Sequence, residues 1–148
     1  MVGFSASRLS VRGRLLAAVV AVAAASPLVV AAMLTPSASG MGTHQALGLP
    51  ACGWQTAMQL PCPSCGMTTA FAHASRADFG NALLAQPAGL LLSLFAALTT
   101  LGGLYAAFTA APMQRLAATL VQPRIVWIGL AILLLGWLLK LSQAGIFS

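Results

Sequence analysis

Acidic residues are almost absent from this chain of 148 residues, in which Asp78 is the only one. Charged residues make up 5% of the sequence and hydrophobic residues 59%, whereas a soluble domain is about 25% charged. Because so few charges could not keep a folded surface in water, the composition indicates a membrane protein. A single carboxylate also excludes mechanisms that need two and argues against calcium sites and carboxylate-bound magnesium sites.

Several familiar sequence patterns are missing as well. The chain has no nucleotide-binding glycine loop, no Ser/His/Asp set and no internal repeat. Its seven Lys and Arg residues give a net charge of +6, but they are scattered rather than aligned on one face, which argues against nucleic-acid binding. In a membrane protein, such residues set the orientation and contact anionic lipids.

Long uncharged runs predict three membrane spans, at residues 15–34, 88–111 and 125–143. The first run alone is roughly 30 Å of helix, the thickness of a bilayer core. Pro27 is expected to kink this helix rather than end it. The basic start also fits a signal peptide, but the run is longer than a signal core, which favours an uncleaved span. The third uncharged run ends at Leu139. The predicted span continues to 143 because Lys140 can extend its side chain to the membrane surface.

The distribution of basic residues predicts the orientation. With a cytoplasmic N-terminus, five of them face the cytoplasm and two face outward, which satisfies the positive-inside rule. The cytoplasmic residues are then Arg8, Arg12, Arg14, Arg115 and Arg124, and the outer residues are Arg76 and Lys140. The loop before the second span therefore lies outside, where disulfides persist.

Residues 52–87 form the distinctive segment of the sequence. Pro63 suits the first position of a helix, which predicts a short helix over 63–75 with Cys62 as its cap. Asp78 looks like the cap of another short helix, over 79–86, and Pro87 starts or kinks the second span. The predicted fold is therefore an all-α integral membrane protein, one domain over 1–148, with three transmembrane helices and a short amphipathic interfacial helix carrying the cysteine motif.

The spacing of Cys52, Cys62 and Cys65 leaves three interpretations open. In the first, the cysteines are structural, as a disulfide or as packed thiols. In the second, Cys62 and Cys65 form a thiol–disulfide pair, with the helix N-terminus favouring a Cys62 thiolate. In the third, the three cysteines and one further ligand bind a metal ion, and zinc is the leading candidate.

The two histidines add little to these interpretations. His73 follows Cys65 by eight residues, roughly 12 Å along a helix, so the two could not share a metal ion. His44 lies in the preceding loop, where the simpler interpretation is a solvated side chain. It could also reach the cysteines, which makes it a candidate fourth ligand. Arg76 is expected either to pair with Asp78 at the surface or to contact a lipid headgroup.

At these residues the sequence resembles the domain-of-unknown-function 2752 family of bacterial membrane proteins. The resemblance rests on Cys52, on the run Leu60-Pro61-Cys62-Pro63-Ser64-Cys65-Gly66-Met67-Thr68, and on Gln86-Pro87 before a leucine-rich span. It is strongest over 52–92, and the closing 136–140 is similar. Thr69 stands where the family usually has arginine, and Gln86 where it often has asparagine. The resemblance implies a bacterial membrane location but no activity.

Together these observations predict a small multi-pass protein of the bacterial cytoplasmic membrane, and they favour a non-enzymatic role over an enzymatic one. The cysteine motif is interpreted as structural or partner-binding, with Pro61, Pro63, Gly66, Thr68 and Pro87 supporting it. The lipid bilayer is the expected surrounding, and a membrane-protein partner or a second copy of the chain the expected neighbour. The alternatives are a thiol–disulfide oxidoreductase that uses Cys62 and Cys65, and a zinc-binding membrane module.

The orientation can be tested with single cysteines introduced into a variant that lacks the native ones. We expect a cysteine at position 39 (Ser39→Cys) to react with a membrane-impermeant thiol reagent in intact cells. A cysteine at position 5 (Ser5→Cys) should react only after the cells are permeabilised, because the basic N-terminus is held in the cytoplasm. The reverse labelling pattern would contradict the orientation.

Overall fold

The computed structural model describes residues 8–111 and 122–143. In this part of the chain the regular structure is entirely helical. The predicted basic connection around Arg115 and the N-terminal position Ser5 lie outside the described residues, as does the side chain of Lys140. The α-helices are α1 (Val11–Met33), α2 (Gly53–Met58), α3 (Met67–Ala74), α4 (Phe79–Ala85), α5 (Pro87–Thr109) and α6 (Pro123–Gln143), and a 3-10 helix covers Thr43–Leu47.

The long helix α1 begins at a polar cap and passes through a proline. The Ser10 hydroxyl accepts a hydrogen bond from the Gly13 amide at 3.3 Å and so satisfies one of the free N–H groups of the first turn. The helix continues through Pro27 to Met33, so the prediction that Pro27 would not end it is confirmed. The preceding residue, Ser26, donates its hydroxyl to the Ala23 carbonyl at 2.9 Å, within the same turn.

Helices α1 and α5 pack against each other as an antiparallel pair. The Leu9 amide donates to the Ala110 carbonyl at 2.9 Å, and the Arg14 Nε donates to the Ala107 carbonyl at 2.7 Å, so α1 starts where α5 ends. Their closest approach is at Gly103, where a built Cβ would lie 2.9 Å from both the Ala17 carbonyl oxygen and the Ala21 Cβ. Because glycine has no side chain, the two backbones can touch at Gly103, as in other closely packed membrane helices.

In the described part of the chain, two helices are long and apolar enough to cross a membrane. They are α1 and α5, each of 23 residues, with mean hydropathies of 2.5 and 1.8 over their most apolar stretches. Most of the side chains in these stretches are not buried within the chain, as expected of surfaces that contact lipid. The predicted spans 15–34 and 88–111 thus correspond to α1 and α5. In α6 the apolar run ends at Leu139 and is shorter than a candidate span, so the three-span prediction is not confirmed.

The cysteine motif does not lie on a helix, contrary to the prediction of a helix over 63–75. Residues 63–66 form a turn, and α3 begins only at Met67. The cause is Gly66, whose φ of 89° is left-handed and therefore cannot continue a helix toward Cys62. Cys62 is not a helix cap. Residues 69–72 of α3 are all buried, so α3 is an enclosed helix rather than an amphipathic surface helix.

Helix α4 begins as predicted from Asp78, whose carboxylate accepts a hydrogen bond from the Asn81 amide at 3.3 Å. The predicted ion pair between Arg76 and Asp78 is wrong. Asp78 instead contacts the His73 Nδ1 at 2.9 Å, while the Arg76 guanidinium donates to the carbonyls of Ala72 and Ala32. Free carbonyls near the C-terminal ends of α3 and α1 attract this cation because both helix dipoles are negative there.

Small residues hold α3, α4 and the start of α5 together. Ala70, Ala82 and Ala85 form a buried cluster, and a Cβ built at Gly89 would lie 2.8 Å from the Ala70 Cβ. With side chains this small, the three helices approach closely at the end of α5 that carries Pro87. This packing brings the turn before α3 next to the first residues of α5.

The α1–α5 contact can be tested with Gly103→Ala. Because the added methyl group would meet a backbone carbonyl at 2.9 Å, the helices must separate, and we expect a loss of about 1–3 kcal/mol in stability. Melting in detergent would show it as a lower Tm. The matched control is Gly129→Ala in α6, where a built Cβ meets nothing within 4 Å. Equal melting temperatures for the two variants would contradict the proposed contact.

Candidate functional site

The turn that carries Cys62 is held from two sides by side chains of long helices. The Gln86 Nε2, at the cap of α5, donates a hydrogen bond to the Pro63 carbonyl at 2.9 Å. The Trp137 Nε1, in α6, donates to the Pro61 carbonyl at 2.8 Å. Each donor satisfies a carbonyl beside a cysteine, so the position of the turn depends on both α5 and α6.

Three sulfur atoms meet at this turn. The Sγ atoms of Cys52, Cys62 and Cys65 all lie within 4.8 Å of one another. Those of Cys62 and Cys65 are 2.7 Å apart, and the Cys62 amide also donates to the Cys65 Sγ at 3.1 Å. Cys62 and Cys65 are each 8% exposed, and Cys52 is half-buried. The fold thus adds a third thiol to the C-x-x-C pair, from a residue ten positions earlier.

An open cavity of about 370 Å³ adjoins the three thiols. Its wall includes the His44 imidazole, whose Nε2 lies 3.2 Å from the Pro50 carbonyl oxygen. Among the residues that the structure describes, no Lys, Arg, Asp or Glu lines it. The lining residues are Met41, Gly42, His44, Cys52, Gln55, Cys62, Ser64, Cys65, Gly66, Met67, Thr68 and Thr69. The cavity is therefore a thiol-rich space without charged side chains, and one histidine lies at its edge.

A buried pair of hydroxyl groups closes one side of the cavity. The Thr69 Oγ1 lies 2.8 Å from the Thr43 Oγ1, and the Thr43 Oγ1 also accepts a hydrogen bond from the Ser37 amide at 3.0 Å. Both threonines are buried. This network ties α3 to the 3-10 helix, which carries His44, and so fixes the histidine near the cysteine turn.

The two buried thiols differ in acidity. Burial raises the pKa of Cys62, but hydrogen bonds from Cys65, Ser64 and Cys52 outweigh burial and leave the pKa below the ordinary value of a thiol. Burial, together with donation of its proton to Cys62, raises the pKa of Cys65 to about 12. The Cys62 thiolate is thus stabilised by neighbouring hydrogen-bond donors and not by the helix terminus predicted from the sequence, since α3 begins five residues later.

His73 lies apart from the cysteine site. Its contact with Asp78 places it at another cavity, which it lines together with Pro36, Ser39 and Asn81. Among the described residues, the group of side chains that could hold a metal ion with Cys65 does not include His73. Of the two histidines, only His44 lines the cysteine cavity.

Comparison with known proteins identifies the central segment. Residues 52–100 match the model of a family described as "Protein of unknown function (DUF2752)". The match covers all three cysteines and the first part of α5, and it confirms the resemblance predicted from the sequence. No curated protein and no solved structure gives a significant match to the chain.

Within the segment that matches this family model, the structure gives a local role to four motif residues. Pro61 and Pro63 supply the carbonyls that Trp137 and Gln86 bind, Gly66 permits the turn, and Pro87 occupies the first turn of α5. The sequence did not predict that Gln86 and Trp137 donate hydrogen bonds to the turn. Both belong to stretches that carry the family resemblance, but neither stretch indicates which atom it contacts.

The acidity difference predicts which cysteine reacts first. In reduced, chelator-treated protein, we expect iodoacetamide to modify Cys62 faster than Cys65 between about pH 7 and 9, because the thiolate is the nucleophile. The two thiols are equally buried, so access alone would not separate them. Peptide mass mapping over a pH series measures both rates.

Two serine variants extend this measurement, one as a test of the assignment and the other as its control. Ser64→Ala removes a hydroxyl that lies 3.4 Å from the Cys62 sulfur and should move the reaction of Cys62 to higher pH. Ser75→Ala removes a hydroxyl bonded to the Ala72 carbonyl and should leave it unchanged. Faster modification of Cys65 than of Cys62 would refute the assignment.

Proposed function

We propose that this protein is a small, non-enzymatic multi-pass membrane component whose cysteine segment is a structural junction and partner-binding surface outside the cytoplasm. One observation carries the proposal: Gln86 and Trp137, on two different long helices, donate hydrogen bonds to the carbonyls on either side of Cys62. A turn that joins α5 to α6 in this way has the role of a structural element.

The energetics support a structural role for this turn. A typical intramolecular hydrogen bond contributes about 1 kcal/mol, and leaving a buried acceptor without a donor costs about 1–3 kcal/mol. Pro61 is buried, so its carbonyl needs a partner within the protein. Two prolines in the turn limit its backbone freedom further. The cysteine turn therefore favours one arrangement of α5 and α6.

The proposal includes three spans and a bacterial cytoplasmic-membrane location. Helix α6 has 21 residues, roughly 32 Å of helix, which is long enough to cross a bilayer if Lys140 reaches the surface. The N-terminus would be cytoplasmic, as the five-to-two distribution of basic residues favours. Residues 123–130, which include Val126, Trp127 and Ile128, are exposed on every side of the helix, so this half of α6 is open to lipid, another membrane protein or a second copy.

The second candidate is a thiol–disulfide oxidoreductase, which the short distance between Cys62 and Cys65 favours. Their sulfurs are 2.7 Å apart, and a disulfide needs about 2.05 Å, so little movement would join them. A redox pair also needs one reactive thiol. If all three cysteines react slowly with iodoacetamide at neutral pH, this candidate is eliminated.

The structural role can be tested with Trp137→Phe. The variant keeps an aromatic side chain but leaves the Pro61 carbonyl without its donor, so we expect a loss of about 1–3 kcal/mol in stability. It should also speed the alkylation of Cys62 and Cys65, because the turn is released. Trp127→Phe is the matched control, since Trp127 lies on the same helix and is 68% exposed. If both variants behave like the unmodified protein, the turn does not join α5 to α6.

A further inference from the structure

We propose that Cys52, Cys62, Cys65 and His44 form a four-ligand zinc site that fastens the loop between α1 and α3. The inference rests on the structural role proposed above and names the ion that would stabilise the junction. Zinc bound by three thiolates and one imidazole is a closed, structural kind of site. The four residues come from three separate pieces of the loop, so one ion would connect all three.

The arrangement of the sulfurs suits a common ligand. Tetrahedral zinc with bonds of about 2.3 Å holds its sulfur ligands about 3.8 Å from one another. All three sulfurs already lie within 4.8 Å of one another. The Cys62–Cys65 pair, at 2.7 Å, must open by about 1 Å to reach that geometry, a change that side-chain rotation supplies. A simple disulfide would use two of the thiols and leave the third without a role.

The fourth ligand follows from the hydrogen bond made by His44. Its Nε2 faces the Pro50 carbonyl oxygen at 3.2 Å, and since a carbonyl only accepts, that nitrogen carries the proton. The neutral ring then has its lone pair on Nδ1. Metal-binding histidines usually hold their other N–H against a carbonyl or carboxylate in this way. His44 also lines the same cavity as the three cysteines.

The charge of the cavity selects a divalent ion. Among the described residues, its lining has no cationic side chain. Three thiolates and neutral imidazole around Zn²⁺ leave a net charge of −1, whereas a monovalent ion would leave −2, and a buried unpaired charge is costly. Calcium and magnesium prefer oxygen ligands, and Asp78 is engaged with His73 and Asn81.

The loop also needs such a connection. Helix α2 has no buried residue, so burial of apolar surface does not hold it in place. Cys52 is its N-cap, and a metal ion at Cys52 would anchor α2 to the turn before α3. A structural zinc ion can supply the free energy that a small core lacks.

The test uses the full chain, purified in detergent under nitrogen with a reductant and incubated with Zn²⁺. We expect one zinc ion per chain after gel filtration. Replacing zinc with Co²⁺ should produce the visible bands of tetrahedral cobalt and the near-ultraviolet absorption of cobalt–thiolate bonds. Both signals report the ligand set without an activity assay.

Ligand variants identify the four donors. Cys52→Ser should weaken zinc affinity by on the order of 100-fold or more, and His44→Ala by roughly 10- to 100-fold. Gln45→Ala is the control, because Gln45 is an exposed neighbour on the same 3-10 helix. Each variant should still bind detergent and elute as the unmodified chain does, so a loss of metal is not a loss of fold.

Two outcomes would overturn the inference. If the reduced chain takes up no stoichiometric zinc, the site does not exist. If His44→Ala retains full affinity and unchanged cobalt bands, the proposed ligand set is wrong. Neither outcome affects the junction formed by Trp137, which is tested by the stability of the Trp137→Phe variant. If the chain binds zinc but Trp137→Phe is as stable as the unmodified protein, the junction alone is rejected.

Discussion

The hydrogen bond from Gln86 to the Pro63 carbonyl is the interaction on which the cysteine site depends most directly. Gln86 is fully buried and is the residue from which α5 starts. Its side chain therefore links α5 to the turn that positions Cys62 and Cys65. Close packing at Gly89, where α3 meets α5, keeps the glutamine within reach of that turn. Movement of α5 would thus move the thiols.

The proposed zinc site and the proposed junction lie at the same end of the molecule, and both would stabilise that end. Along α1 and α5, contact through Gly103 and Ala21 holds the two helices together. At the Pro87 end, polar contacts take over: Gln86, Trp137 and the Thr43–Thr69 pair each satisfy buried groups. This division follows from the surroundings, because van der Waals packing drives association in lipid, while a buried polar group without a partner is costly.

The difference between predicted and observed helices has a local cause. The long runs of uncharged residues predicted α1 and α5 to within four residues at each end, since a bilayer-length apolar stretch has few other stable structures. Asp78 likewise predicted the start of α4. The predicted helix over 63–75 is wrong at its beginning. Pro63 predicts a first helical turn, but the left-handed Gly66 caps a helix that begins only at Met67, four residues after Pro63.

The sequence by itself determined the apolar composition, the two helices long enough to cross a membrane and the candidate cysteines, because composition and apolar length act without reference to distant residues. It could not decide which side chains meet. That Cys52 joins the pair, that His44 faces the same cavity, and that Gln86 and Trp137 bind the turn depends on contacts between residues 10 to 76 positions apart. Only the packing of the helices brings such residues together, since nothing in their local sequence encodes the distance between them.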